Sequence, residues 1–153
     1  MNRLSLLSCS AVLGLALIPS SVLAQQQQTL RQQLAGTWEV VSLGNPESPA
    51  AKMLSTNPKG YLVLAGSGKA VLVLRNPNRA KDAGPADGMT AAFGTWSVDE
   101  ASKTLTRHIE GATNSSTEGT DAKTTIVING DELRATSLDG KVTNVLHRVR
   151  QAQ

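Results

Sequence analysis

The hydrophobic positions of this chain recur mainly at a spacing of two. The clearest case is Met89 to Ala112, where the alternating runs Ala91–Val98 and Thr104–Glu110 flank the mostly polar residues 99–103. Two such runs joined by a mostly polar five-residue loop predict an antiparallel hairpin. The same rhythm marks Thr37–Leu43, Tyr61–Ala65, Lys69–Arg75, Lys123–Ile128, Glu132–Ser137 and Lys141–Arg150. Glycine-containing links, Gly66-Ser67-Gly68, Asn129-Gly130-Asp131 and Asp139-Gly140, separate several of them and suit tight turns. Helical spacing is confined to Leu30 and Leu34 in the polar segment 25–35, and to one turn over Ala50–Thr56 before the turn signal Asn57-Pro58-Lys59-Gly60.

Eight strands in series, with no helix long enough to cover a sheet, remove their exposed edges best by closing on themselves. The pattern therefore predicts an all-β chain: a single eight-stranded antiparallel up-and-down barrel over residues 36–150, preceded by a short helix. At eight strands the interior is filled by side chains or holds one small ligand. A two-sheet sandwich is the rival, but it calls for longer crossing connections than most of those present. The longest irregular stretch, Asn76–Gly88, carries two prolines and two glycines and is a candidate lid or entrance. The sequence shows no internal repeat and no second domain.

The first residues change the picture of where the protein works. Asn2 and Arg3 precede an apolar run from Leu4 to Ile18, which is broken by Pro19-Ser20-Ser21 before Val22-Leu23-Ala24. This is the layout of a secretory signal cleaved after Ala24, so residues 1–24 are read as a signal peptide and the mature protein as periplasmic or secreted. The run is too short, and too soon followed by Gln25–Gln28, for a stable membrane span. Cys9, the one cysteine, lies in the segment that is removed, and its spacing from Arg3 and the apolar core beyond it disfavour lipidation. The mature barrel would then have no disulfide and no thiolate metal site, and would depend on its core alone.

Charge narrows the partners. The chain has 15 basic and 12 acidic residues, and the basic residues are scattered apart from Arg148 and Arg150. Nucleic-acid binding calls for clustered positive charge with aromatic stacking platforms, which this chain lacks. The two histidines, His108 and His147, have no spaced ligand set around them, so no metal and no cofactor is expected. No nucleophile elbow or Ser–His spacing stands out. Asn114-Ser115-Ser116 fits a glycosylation acceptor, though for a bacterial source a chance match in a polar loop is the favoured reading.

Several short stretches together resemble the lipocalin-like domain family of small bacterial and fungal β-barrels. They are Gly36-Thr37-Trp38, Asn57-Pro58-Lys59-Gly60-Tyr61-Leu62, Arg75 and Arg79 around Asn76-Pro77-Asn78, and Ala92-Phe93-Gly94-Thr95-Trp96. Leu105-Thr106-Arg107-His108-Ile109-Glu110-Gly111, Gly119-Thr120, Asn129-Gly130-Asp131-Glu132-Leu133 and Arg148 follow in order, so the likeness covers about Leu34 to Val149. Against the family's pattern, Arg107 stands where the first of two adjacent histidines is common. Ala122 and Thr124 stand where a glutamine and an arginine are frequent, and Leu146 replaces a late tryptophan. The resemblance implies barrel-type binding of a small, mostly apolar molecule. It also implies a structural pair in which Trp38 lies beneath Arg148 of the last strand and closes the barrel floor through a cation–π contact.

The site residues follow from strand parity. His108 and Glu110 share one face of their strand with Thr104 and Thr106, while Leu105, Arg107 and Ile109 share the other. Ordinary patterning turns the leucine–isoleucine face inward, which leaves His108 outside and makes Arg107 an inward charge in need of an anionic partner or ligand carboxylate. The alternative is a polar lumen in which Glu110 would raise the pKa of His108 and make it a ligand partner or proton carrier. Tyr61, Arg75, Phe93 and Trp96 would orient a ligand if they face the lumen, and are otherwise core rings or exposed charge.

Three functions fit these residues. The foremost is an exported barrel that binds a small hydrophobic or amphipathic molecule. The second is a lumen isomerase or cyclase using acid–base chemistry at His108 and Glu110. The third is a non-catalytic periplasmic interaction or inhibitor protein that works through loops 76–88 or 113–121.

Overall fold

The structure is a computed structural model, and it describes residues 28–84 and 87–150. The expected signal segment, residues 1–24, with the cleavage expected after Ala24 and with Cys9, lies outside the described residues. The chain opens with helix α1 (Leu30–Leu34) and strand β1 (Gly36–Ser42), followed by helix α2 (Pro49–Leu54). Strands β2 (Lys59–Leu64), β3 (Lys69–Arg75), β4 (Met89–Asp99) and β5 (Thr104–Ala112) come next. A 3-10 turn at Ser115–Thr117 leads to β6 (Asp121–Asn129), β7 (Glu132–Ser137) and β8 (Thr143–Arg148).

Every strand pairs antiparallel with its neighbours in sequence, and β8 returns to β1, so the sheet closes into an up-and-down barrel. The expected fold class is therefore present, with the strands in the meander order that the short turns predict. Boundaries differ in physically sensible ways. The central hairpin is longer than its alternating runs, because Met89 and Thr90 still pair with Arg75 and Leu74 across β3. The last strand starts at Thr143 rather than Lys141, because Asp139 Oδ1 takes the Lys141 amide and Ser137 Oγ takes that of Val142, which holds both in the turn.

Alternation decides what lies inside. Trp38, Val40, Leu62, Leu64, Leu105, Ile126, Leu133 and Leu146 are buried in one core, joined by Leu34 and Leu54 from the two helices. Two irregularities bend the sheet. One lies in β1 between Val40 and Ser42. The other is a bulge in β5: Gly94 faces Ile109 while Phe93 faces Gly111, which leaves Glu110 as the extra residue. At this bend a Cβ on Gly94 would sit 1.9 Å from the carbonyl oxygen of His108, so no larger residue fits without moving backbone.

The two ends of the barrel are built differently. Helix α1 seals the end that holds the start of β1. Its Thr29 cap and Gln32 form a capping box, and the exposed first turn is held by Glu100, whose carboxylate accepts the amides of Leu30 (3.0 Å) and Arg31 (3.2 Å). Helix α2 lies over the other end, where Ser48 caps it by accepting the Ala51 amide and Pro49 starts it. The 76–88 loop meets α2 there: Asn76 Nδ2 donates to the carbonyl of Met53 at 3.1 Å.

Candidate functional site: the lumen and its floor

The floor contains the pair that the resemblance implied. The guanidinium carbon of Arg148 stands 4.2 Å from the centroid of the Trp38 ring, and Trp38 is fully buried. Trp38 Nε1 donates to the Leu34 carbonyl at 2.8 Å, and Arg148 donates to the carbonyls of Gln33 and Ala35. The last carbonyls of α1, which a helix leaves without partners, are thus satisfied by the barrel wall. A second stack stands beside the first. Arg31 lies 4.6 Å from the centroid of Trp96, and Trp96 Nε1 donates to Ala65 O at 2.8 Å. Trp96 is therefore a buried part of the floor, anchored at its ring nitrogen. Sequence reasoning missed its partner Arg31, which reaches Trp96 from the short helix α1, far from it in the chain.

Above the floor the lumen holds a cavity of about 200 Å³. Its wall is almost wholly aliphatic: Val40, Leu62, Leu72, Leu74, Leu105, Leu133 and Leu146 come from the strands, and Leu43, Ala50 and Leu54 from the loop and helix at the mouth. Thr90, Thr124 and Asn144 add polar edges, and Arg107 is the one ionised side chain in the lining. The register partners of Arg107 are Trp96 on β4 and Ala122 on β6. Burial pushes the Arg107 pKa down from its ordinary value, because its charged form has lost solvent without gaining a counter-charge. Three of the positions at which the chain departs from the resembled family, 107, 124 and 146, line this cavity, and the fourth, 122, adjoins it.

The remaining candidates are elsewhere. His108 stands on the outer face with its Nδ1 2.8 Å from Asp121 Oδ1, across the β5–β6 pairing. Glu110 is also outside and meets Lys69 Nζ at 3.2 Å. The polar-lumen alternative for this strand is thus corrected: parity sends Leu105 and Arg107 inward and leaves His108 and Glu110 in solvent. Tyr61 and Phe93 are corrected in the same way, being 49% and 57% exposed. Tyr61 alternates with the buried Leu62, and Phe93 lies three residues from the buried Trp96, so neither can share a face with the core. Phe93 instead covers Gly111, where a Cβ would meet its ring at 2.5 Å. Arg75 is exposed at the mouth end of β3.

Together Tyr61, Val71, Val73 and Phe93 leave an apolar strip on the outer wall of β2, β3 and β4. Among the described residues no cluster of three His, Cys, Asp or Glu side chains is placed to hold a metal, and no helix is long and apolar enough to cross a membrane. Asn114 of the glycosylation-like triplet is occupied locally, its Oδ1 accepting from the amide and hydroxyl of Ser116. Compared with known proteins, the chain matches no family model and no curated protein.

Proposed function

We propose that the protein is an exported, lipocalin-like carrier that encloses a small hydrophobic or amphipathic molecule in its lumen. The observation that carries this reading is the cavity of about 200 Å³ with its leucine-rich wall. A cavity of about 150 Å³ lined by such side chains is large enough for benzene, so this one suits a slightly larger guest and is too small for a long lipid. Leu43 and the α2 residues Ala50 and Leu54 line the mouth end of the cavity, so α2 is the part that would admit the guest. The outer wall supports a soluble carrier: it bears Lys69, His108, Glu110, Lys123 and Arg134 over an apolar interior, the reverse of a membrane barrel's arrangement.

The enzymatic alternative loses its acid–base pair, because His108 and Glu110 face away from the lumen. The interaction alternative rests on a different feature, the outer strip of Tyr61, Val71, Val73 and Phe93. A filled-lumen variant separates the carrier from both. Ala135 is 9% exposed and lines the cavity, so Ala135→Phe would occupy the guest's volume. Dye titration of the purified protein, with mass spectrometry for retained small molecules, should show binding in the natural protein and at least a tenfold loss in the folded variant. Equal dye affinity in both would refute a lumen guest.

A further inference from the structure

Arg107 is the feature of the molecule that the fold alone does not explain. It projects from the middle of β5 and lines the cavity, whose wall is otherwise leucine, alanine and valine with Thr90, Thr124 and Asn144 as its uncharged polar members. None of the ion pairs formed by the described residues includes it. The acidic residues of β5 and its neighbour β6, Glu110 and Asp121, face outward and are engaged with Lys69 and His108. Arg107 is half-buried, so its charge is partly desolvated without a protein partner, a cost to the folded barrel that persists at neutral pH because a guanidinium stays protonated. Methionine or leucine at this position would serve packing better.

The geometry points to the guest's chemical class: we infer that the lumen takes a small organic acid, its carboxylate on Arg107 and its apolar body among the leucines toward the mouth. This inference rests on the carrier reading and deepens it. Three features bear on it. A guanidinium offers paired donors that match a carboxylate, and such charge-assisted bonds are the stronger kind. Thr90, Thr124 and Asn144 supply further hydrogen-bonding groups in the same lining. No carboxylate lines the cavity to compete for the arginine. The volume sets the body at roughly six to eight carbons, by comparison with the cavity that accepts benzene.

The test compares three probes with one tail and different heads, hexanoate, 1-hexanol and hexylammonium, by calorimetric titration at neutral pH against the natural protein, Arg107→Met and Arg107→Lys. Hexanoate should bind the natural protein about 10- to 100-fold more tightly than hexanol, in line with one charge-assisted contact, and hexylammonium should be rejected. Arg107→Met should lose the preference for the acid while keeping hexanol, and Arg107→Lys should retain part of it. Equal affinity of the natural protein for hexanoate and hexanol would overturn the role of Arg107 and leave the carrier standing. Binding of none of the three would overturn both. The probe comparison on the natural protein decides the matter even if a variant does not fold.

Discussion

Replacing Arg148 by Met tests how the barrel floor is held. The substitution removes the cation over Trp38 at 4.2 Å, a partly desolvated contact that contributes about 1–2 kcal/mol. It also removes the bonds to the carbonyls of Gln33 and Ala35, which return to being unpartnered helix-end groups at about 1.5 kcal/mol. The approach to Asp131 at 3.9 Å adds little, about 0–0.5 kcal/mol, because it is partly in solvent. The sum is about 2.5–4 kcal/mol, or a fall in Tm of roughly 8–16 °C for a domain of this size. Arg31→Met is the internal control. Its stack on Trp96 is longer at 4.6 Å and no hydrogen bond ties its guanidinium to α1, so it should cost less than about 1 kcal/mol. Urea unfolding of both variants, followed by far-UV circular dichroism, supplies the comparison. A cycle of Arg148→Met with Trp38→Leu should give a coupling of about 0.5–2 kcal/mol. A coupling near zero, or equal losses for the two arginines, would refute the latch.

Three further outcomes follow from the same structure. Gly94→Ala should destabilise by about 1–3 kcal/mol or more in urea, because its Cβ would fall 1.9 Å from the His108 carbonyl oxygen, and a neutral result would contradict the bulge. Arg107→Met should leave the barrel as stable as before or raise its stability by about 1–3 kcal/mol, since burial already disfavours the charged form there; a clear loss in thermal unfolding would mean the charge has a partner. The Asp99 carboxyl is held below its usual value chiefly by the Ser102 amide and then by the Ser102 side chain. A depressed carboxylate stabilises the fold above its unfolded pKa of 3.8 and loses that effect as pH falls through the lower folded value. Asp99→Asn should therefore be the less stable form at neutral pH and converge with the natural protein in acid, and parallel pH–stability curves would contradict the linkage.

Strand parity was the most informative signal in the sequence. It gave the eight strands, and it fixed the inward face of β5, because Leu105 and Ile109 outweigh one arginine. The same rule, applied to Tyr61 beside Leu62 and to Phe93 three residues before Trp96, would have placed both aromatic rings outside. Apart from Arg148 over Trp38, which the family resemblance implied, contacts between distant segments were not legible. Glu100 capping α1 and Arg31 on Trp96 depend on α1 docking against the barrel end, up to 70 positions away, and Asp121 beside His108 depends on the register of the β5–β6 pair. The bulge at Glu110 was equally hidden, since no local pattern distinguishes an extra residue from one more step of the strand.

The claim at the centre of this account is that the guest lies inside the barrel and not on its wall. Methyl-labelled NMR with a hexanoate titration tests it most directly, because leucine methyls report the lumen and several valine methyls report the outside. The account predicts shifts at Leu62, Leu72, Leu74, Leu133 and Leu146, with Val71, Val73 and Val127 unchanged. Shifts confined to Val71 and Val73, beside Tyr61 and Phe93, would contradict it.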